Sequence, residues 1–224
     1  MHLVELFSGI GAQSKALKNL GIEHQTTACE VDKKIHSVYE SIHGVTKNLG
    51  DITKVESLPE CDLLTYSFPC QDISVLGNRK GFERDSGTRS SLLWEVERLL
   101  NKYEKLPKNL ILENVKNLVS PKNKKNFESW LEVLEGFGYK NSWAVINAED
   151  FGLPQKRERV FVVSSLDKTF EFPKPAARKK LGDVMEEDSK VKQQFGDSLY
   201  FKCDKMAVRI HKTINNTQST NSTN

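Results

Sequence analysis

No apolar run in this chain is long enough to span a bilayer, and no secretory leader is legible at its start, so it reads as an intracellular protein. Cysteine is scarce. Cys29, Cys61, Cys70 and Cys203 are too scattered to suggest a zinc site or a disulfide framework, and a reducing compartment keeps such thiols usable. A strong charge of one sign is also missing: 33 Lys and Arg stand against 30 Asp and Glu, a net charge of +3. Net charge therefore gives no argument for a polyanionic partner, and any such surface has to come from local clusters. There is no internal repeat, and the five histidines are dispersed, so no metal site is expected. The 224 residues suffice for one substantial core, or one core with an appendage.

What the chain does contain is an alternation of short continuous apolar runs with amphipathic stretches. Leu3 to Leu6, Thr27 to Cys29, Cys61 to Tyr66, Leu110 to Leu112, Ser142 to Asn147 and Val160 to Val163 read as strands. Between them, Ala12, Ala16, Leu17 and Leu20 fall on about one helical face. Leu92, Leu93, Val96, Leu99 and Leu100 mark a helix over Ser91 to Leu100, and Phe127, Trp130, Leu131 and Leu134 mark another. Those aromatics read as packing rather than base stacking, and His36 and His43 fall on or beside an ordinary helix. Runs buried on both faces and joined by helices predict an α/β fold, a doubly wound, mostly parallel Rossmann-like sheet with one antiparallel strand near Val160 to Val163. Domain boundaries are expected at 1–172, at 173–212 for a connector and the start of a second domain, and at 213–224 for a polar tail too poor in apolar residues to order itself.

Three segments carry chemistry, each at the end of an expected strand, where open α/β sheets bind their ligands. Phe68-Pro69-Cys70-Gln71 offers a thiol. Glu113-Asn114-Val115 offers a carboxyl that, if buried, has a raised pKa and can donate a proton at neutral pH. Gln155-Lys156-Arg157-Glu158-Arg159 offers a planar guanidinium that stays charged and can hold a carbonyl oxygen. Each has a bland alternative: a cysteine is often a small buried hydrophobe, and a charge cluster is usually a solvated loop. A fourth segment, Phe7-Ser8-Gly9-Ile10-Gly11, follows the first strand, where glycine permits a sharp turn and close approach to a ligand. Glu30, about twenty residues on, is spaced to accept from ribose hydroxyls; alone it would read as a surface carboxylate.

Together and in this order, the segments resemble the cytosine-5 DNA methyltransferase family from Leu3 to about Val163. Fainter likeness continues through Phe172-Pro173-Lys174-Pro175 and Leu181-Gly182-Asp183-Val184. The resemblance implies a Rossmann-like S-adenosylmethionine-dependent methyltransferase domain over 1–172, acting on double-stranded DNA in the cytoplasm of a prokaryote or wherever that DNA lies. It implies catalytic roles for Cys70, as nucleophile on carbon 6 of a flipped cytosine, for Glu113 at N3, and for Arg159 at O2. Gln155 and Arg157 would organise the site. It implies a donor site of Phe7, Gly9 and Gly11, with Glu30 on the ribose, Val31 on the adenine, and Asp51, Ile52, Pro69 and Leu92 lining the rest, and S-adenosylhomocysteine as the product; no metal is implied.

The same resemblance makes Gly77 to Arg89 a loop that closes over the target strand, its basic residues suited to phosphate contacts. Lys122, Lys124 and Lys125, and Arg178, Lys179 and Lys180, are either further phosphate contacts or solubilising faces. The family's target-recognition domain and late segments are not legible. This chain is thus expected to be one subunit of a split enzyme completed by a second polypeptide, a truncated product, or an excised piece, with doubtful activity alone. A transfer-RNA cytosine methyltransferase and a noncatalytic DNA-binding remnant are the competing readings.

Overall fold

The structure is a computed structural model that describes residues 1–70, 89–176 and 178. Contacts divide the chain into Met1–Ala177 and Arg178–Asn224, and every strand and helix described belongs to the first unit. Among the described residues no helix is long and apolar enough to cross a membrane, and no cluster of three or more His, Cys, Asp or Glu could hold a metal ion. The expected strand-closing loop from Gly77, the Lys179–Lys180 pair, and nearly all of 173–224 lie outside the described residues.

Seven strands form one sheet: β1 (His2–Leu6), β2 (Gln25–Cys29), β3 (Lys47–Asn48), β4 (Leu63–Tyr66), β5 (Asn109–Val115), β6 (Lys140–Asn147) and β7 (Glu158–Ser165). Their spatial order is β3-β2-β1-β4-β5-β7-β6. The first five are parallel, and β7 runs antiparallel to both β5 and β6. The expected reversed strand is therefore present, longer at both ends than Val160 to Val163. The sequence winds outward from β1 in both directions, which leaves a crevice between the carboxyl ends of β1 and β4.

The helices are α1 (Ala12–Asn19), α2 (Lys33–His43), α3 (Leu93–Leu100) and α4 (Lys124–Gly136). α3 presents Leu93, Val96, Leu99 and Leu100 to the core, as its period predicts; residues 89–92 ahead of it form a 3-10 turn rather than its first turn. α4 buries Phe127, Trp130 and Leu134. The Trp130 indole donates to the Tyr66 hydroxyl at 3.1 Å and packs edge-on against Tyr66 and Trp94. These rings are core, because an indole buried that deeply needs a partner for its N–H and finds it inside the protein.

α1 departs from its sequence pattern. Its one buried residue is Ser14, while Leu20 just beyond it is 73 % exposed. The reason lies beneath the helix: β1 carries a buried glutamate, Glu5, and the helix turns its polar side down to satisfy it. A buried carboxylate without donors would cost several kcal/mol, more than burying Ala12 or Ala16 returns.

Candidate active site

Glu113 and Arg159 sit on neighbouring strands with a register that brings them together. Val115 pairs Arg159 and Glu113 pairs Phe161, so Glu113 and Arg159 are diagonal neighbours on one face of the sheet. Arg159 Nε meets Glu113 Oε1 at 3.1 Å, with both side chains about three-quarters buried. The Ser67 hydroxyl donates to the other carboxylate oxygen at 3.2 Å. Ser67 follows β4 and begins the segment Ser67-Phe68-Pro69-Cys70. The three expected catalytic groups thus come from three adjacent strands at one edge of the sheet: Cys70 past the end of β4, Glu113 near the end of β5, and Arg159 at the start of the reversed β7. Strands lie about 4.8 Å apart, so the edge spans about 10 Å, the scale of a single pyrimidine ring with its exocyclic groups.

Further hydrogen bonds hold the thiol's loop. Asn114, buried beside Glu113, donates its side-chain amide to the Phe68 carbonyl at 3.0 Å. Ser90 donates to the Pro69 carbonyl at 2.7 Å. Cys70 itself is half-buried and packs against the core cluster. At Cys29 burial pushes the thiol up to about 12 and at Cys61 up to about 11, which makes these two poor nucleophiles.

Arg159 also borders a cavity of about 730 Å³. Val115, Lys116 and Ser120 line it from one side, Gln155 and Arg157 from the other. Gln155 and Arg157 are exposed, and the backbone of their loop is tied down by Asn147, whose side chain accepts from the Arg157 N–H at 2.9 Å. Lys122, Lys124 and Lys125 are exposed nearby in sequence, Lys124 close to Glu128 at 3.6 Å.

The expected donor site lies at the same sheet edge, over β1 and β2. Phe7 leaves β1 with φ of 56°, the one non-glycine residue with positive φ among those described, and Gly9 (53°) and Gly11 (80°) follow. Such a run turns the chain tightly, with the Ser8 and Gly11 N–H groups donating to the Cys29 and Ser8 carbonyls at 3.2 and 2.9 Å. Glu30 joins two loops: Oε2 accepts from the Gly9 N–H at 3.0 Å and Oε1 from the Asp32 N–H at 3.0 Å. Each oxygen keeps a second lone pair, so the carboxylate can still accept from a diol. Asn48 fixes the Glu30 backbone from both sides, accepting from its N–H and donating to its carbonyl, each at 2.9 Å.

Asp51 caps a 3-10 turn over Ile52–Lys54 through Oδ1, which accepts from the Thr53 N–H and hydroxyl; these bonds hold its carboxyl below the usual range. Ile52, expected to line the pocket, is 4 % exposed and belongs to the core, while Val31 is 69 % exposed. Arg98 of α3 supports this corner with a fork of bonds to the Val55 and Ile52 carbonyls at 2.8 and 2.9 Å. Pro69 and Leu92 are partly buried at the neighbouring strand end.

Two observations test whether a ligand such as S-adenosylmethionine suits these residues. The buried Ser8 hydroxyl finds no hydrogen-bond partner among the described residues, and the space where Gly9 would carry a Cβ has nothing within 4 Å. A turn with an orphaned hydroxyl, an open backbone face and two acids placed for hydroxyl or amino donors fits that group.

A doubly wound sheet with a glycine turn after β1 and an acid after β2 is the architecture of the Rossmann-like S-adenosylmethionine-dependent methyltransferases. The model of the C-5 cytosine-specific DNA methylase family matches residues 1–224, and the chain belongs to that family. It is 44 % identical over 183 residues to the type II methyltransferase M2.ScrFI of Lactococcus lactis subsp. cremoris, covering 77 % of this chain and 50 % of the relative. To the orphan methyltransferase M.SssI of Spiroplasma monobiae it is 48 % identical over 149 residues, 64 % of this chain and 39 % of the relative. The chain spans about half the length of the curated relatives it matches. Among solved structures, the S. pombe Dnmt2 methyltransferase superposes with a TM-score of 0.64 at 22 % identity, covering 88 % of this chain and 65 % of that one, a likeness of fold.

Several supporting residues are invisible to the sequence alone. Asn114 lies within a recognisable motif but has no task there, and Ser67, Asn48 and Arg98 carry no signal beyond a polar residue near a strand end or on a helix.

Proposed function

We propose that this chain carries the catalytic half of a DNA (cytosine-5)-methyltransferase, transferring a methyl group to carbon 5 of a cytosine swung out of double-stranded DNA. The observation that carries the reading is the Glu113–Arg159 pair, joined through Ser67 to the loop of Cys70.

Cys70 as thiolate attacks carbon 6, and a carbon–sulfur bond forms as the ring's 5,6 double bond opens. Charge then gathers at N3 and O2. Glu113 faces N3, where it delivers a proton, and Arg159 donates to O2, so the charge is neutralised as it appears. Both groups already hold each other, so an incoming base meets partners that are preorganised rather than free. Gln155 and Arg157 line the approach from the side of the 730 Å³ cavity. Phe7, Gly9, Gly11, Glu30, Val31 and Asp51, with Ile52, Pro69 and Leu92 around them, would hold S-adenosylmethionine, which would supply an electrophilic sulfonium methyl and be released as S-adenosylhomocysteine. Loss of the carbon-5 proton to solvent water then restores the 5,6 double bond and expels the Cys70 sulfur as thiolate, while the N3 proton returns to Glu113.

Sequence reading and the second side of the flipped duplex fall to protein outside the catalytic half, for which a second polypeptide is one source; extruding a paired base costs a few kcal/mol and takes groups from both sides. The relatives' names, type II and orphan methyltransferases, support this chemistry, and its site of action is then beside DNA inside the cell.

The test is covalent trapping on a duplex carrying 5-fluorocytosine opposite a mismatch, with S-adenosylmethionine present, for the chain alone and with the remaining half of a relative supplied. A denaturation-resistant adduct that disappears in Cys70→Ser is expected. Absence of any adduct under both conditions overturns the reading and leaves a binding role.

A further inference from the structure

The mechanism leaves one buried ionisable group unused. Glu5 lies within β1, an interior strand of the sheet, with 1 % of its surface exposed. It touches neither expected substrate, yet both its oxygens are engaged. Oε1 accepts from the Ser14 N–H at 3.1 Å, and Oε2 accepts from the Tyr39 hydroxyl at 2.5 Å. Ser14 is the third residue of α1, whose N-cap is Gly11, a residue with no side chain to cap with. The orphan amide that a Ser or Asp at the N-cap would satisfy is satisfied instead from the strand below.

Tyr39 and His43 come from α2 and press on the same turn. Their rings are 4.6 Å apart, and a Cβ on Gly11 would lie 2.5 Å from both. His43 Nε2 is 3.0 Å from the Ile10 carbonyl, which can only accept, so this nitrogen carries the proton and donates. The turn is thus pressed on one side by Tyr39 and His43, with Glu5 holding Tyr39 and the start of α1 behind them, while its other side, at Gly9, is open.

We propose that Glu5, Tyr39 and His43 are positioning residues for the methyl donor: they hold Phe7 to Gly11 in the shape that binds S-adenosylmethionine, without touching it. Phe7 holds its positive φ at a steric cost, and Gly9 and Gly11 give up more backbone freedom than other residues would; a template on the inner face of the turn meets those costs before the ligand arrives. His24 reaches the same assembly through the Ser14 hydroxyl at 2.9 Å, so the polar contents under α1 form one connected network rather than isolated pairs. The inference rests on the donor-site reading.

The experiment is calorimetric titration of S-adenosylhomocysteine into the full chain and its variants, with thermal melting alongside. Tyr39→Phe keeps the ring against Gly11 and removes one donor to Glu5; affinity is expected to fall about tenfold. Tyr103→Phe is the control, since its hydroxyl bonds the Pro59 carbonyl at 3.1 Å away from the turn; it should lower the melting temperature without weakening binding. At the third position, His43→Gln retains an N–H donor for Ile10 and should bind nearly as the parent, whereas His43→Leu should bind about tenfold more weakly. Equal affinity in the parent, Tyr39→Phe and His43→Leu overturns the positioning role, as does loss of affinity in proportion to melting temperature for every variant, Tyr103→Phe included. Failure of the parent itself to bind S-adenosylhomocysteine overturns the donor-site reading instead.

Discussion

Asn114 donates to the carbonyl of Phe68 across 46 residues of sequence, and the bond is buried. It fastens the end of β5 to the loop that carries Cys70. Asn114→Ala removes this buried hydrogen bond to the Phe68 carbonyl and opens a small void. A loss of about 1–3 kcal/mol is expected in urea denaturation. In the trapping assay the adduct should form more slowly, because the thiol's loop is no longer fixed to the strand that bears Glu113. An unchanged trapping rate would separate this bond from the chemistry.

Burial shields two of the cysteines. Cys29 donates its thiol to the Gly50 carbonyl at 3.2 Å and is pushed up to about 12, and Cys61 is pushed up to about 11. At pH 8 both remain thiols, so brief treatment of the folded chain with iodoacetamide should leave them unmodified. Peptide mass mapping reads this directly, with the urea-unfolded chain as the positive control. Alkylation of either at the rate of the unfolded chain would contradict the burial that raises them.

Glu5 gives a pH dependence of defined sign. Its carboxyl is pushed above the ordinary value of 4.5, chiefly by burial, against the opposing help of Tyr39 and Ser14. Between the unfolded and folded pKa values the native state holds the extra proton, so stability falls as pH rises through that window. This contribution is complete below about pH 4.5 and is lost above the folded pKa. Urea midpoints measured from pH 4.5 upward should contain a declining component that Glu5→Gln abolishes. Gln has one acceptor oxygen for two donors, so that variant should also be less stable throughout.

Much of the sheet can be read from residue order. Leu63 to Tyr66 and Leu110 to Leu112 are apolar runs bounded by turn chemistry, and a strand buried on both faces leaves no other local solution. Val160 to Val163 can be placed but not extended, because Glu158, Arg159 and Ser164 join β7 through pairing with β5 and β6 and not through their own propensity. The candidate site is legible where its groups sit at strand ends and illegible where support comes from afar. Glu5 lies 34 residues from Tyr39, and Arg98 lies 46 from Ile52. The α1 face differs from its pattern for the same reason: its apolar spacing is local, whereas the carboxylate that orients it belongs to another element. Ile52 reads as a pocket residue by resemblance, although the turn it opens tucks it inward.

The backward course of β7 makes the Arg159 contact a matter of ladder alignment. Side chains alternate faces along a strand, so sliding β7 by one residue against β5 would send the guanidinium to the opposite side of the sheet and bring Glu158 or Val160 to the carboxylate. Lengthening the connection between β6 and β7 would leave this ladder as it is and act instead on Gln155 and Arg157 at the cavity. An insertion or deletion inside the strand would disarm the site while leaving every functional residue type in the chain.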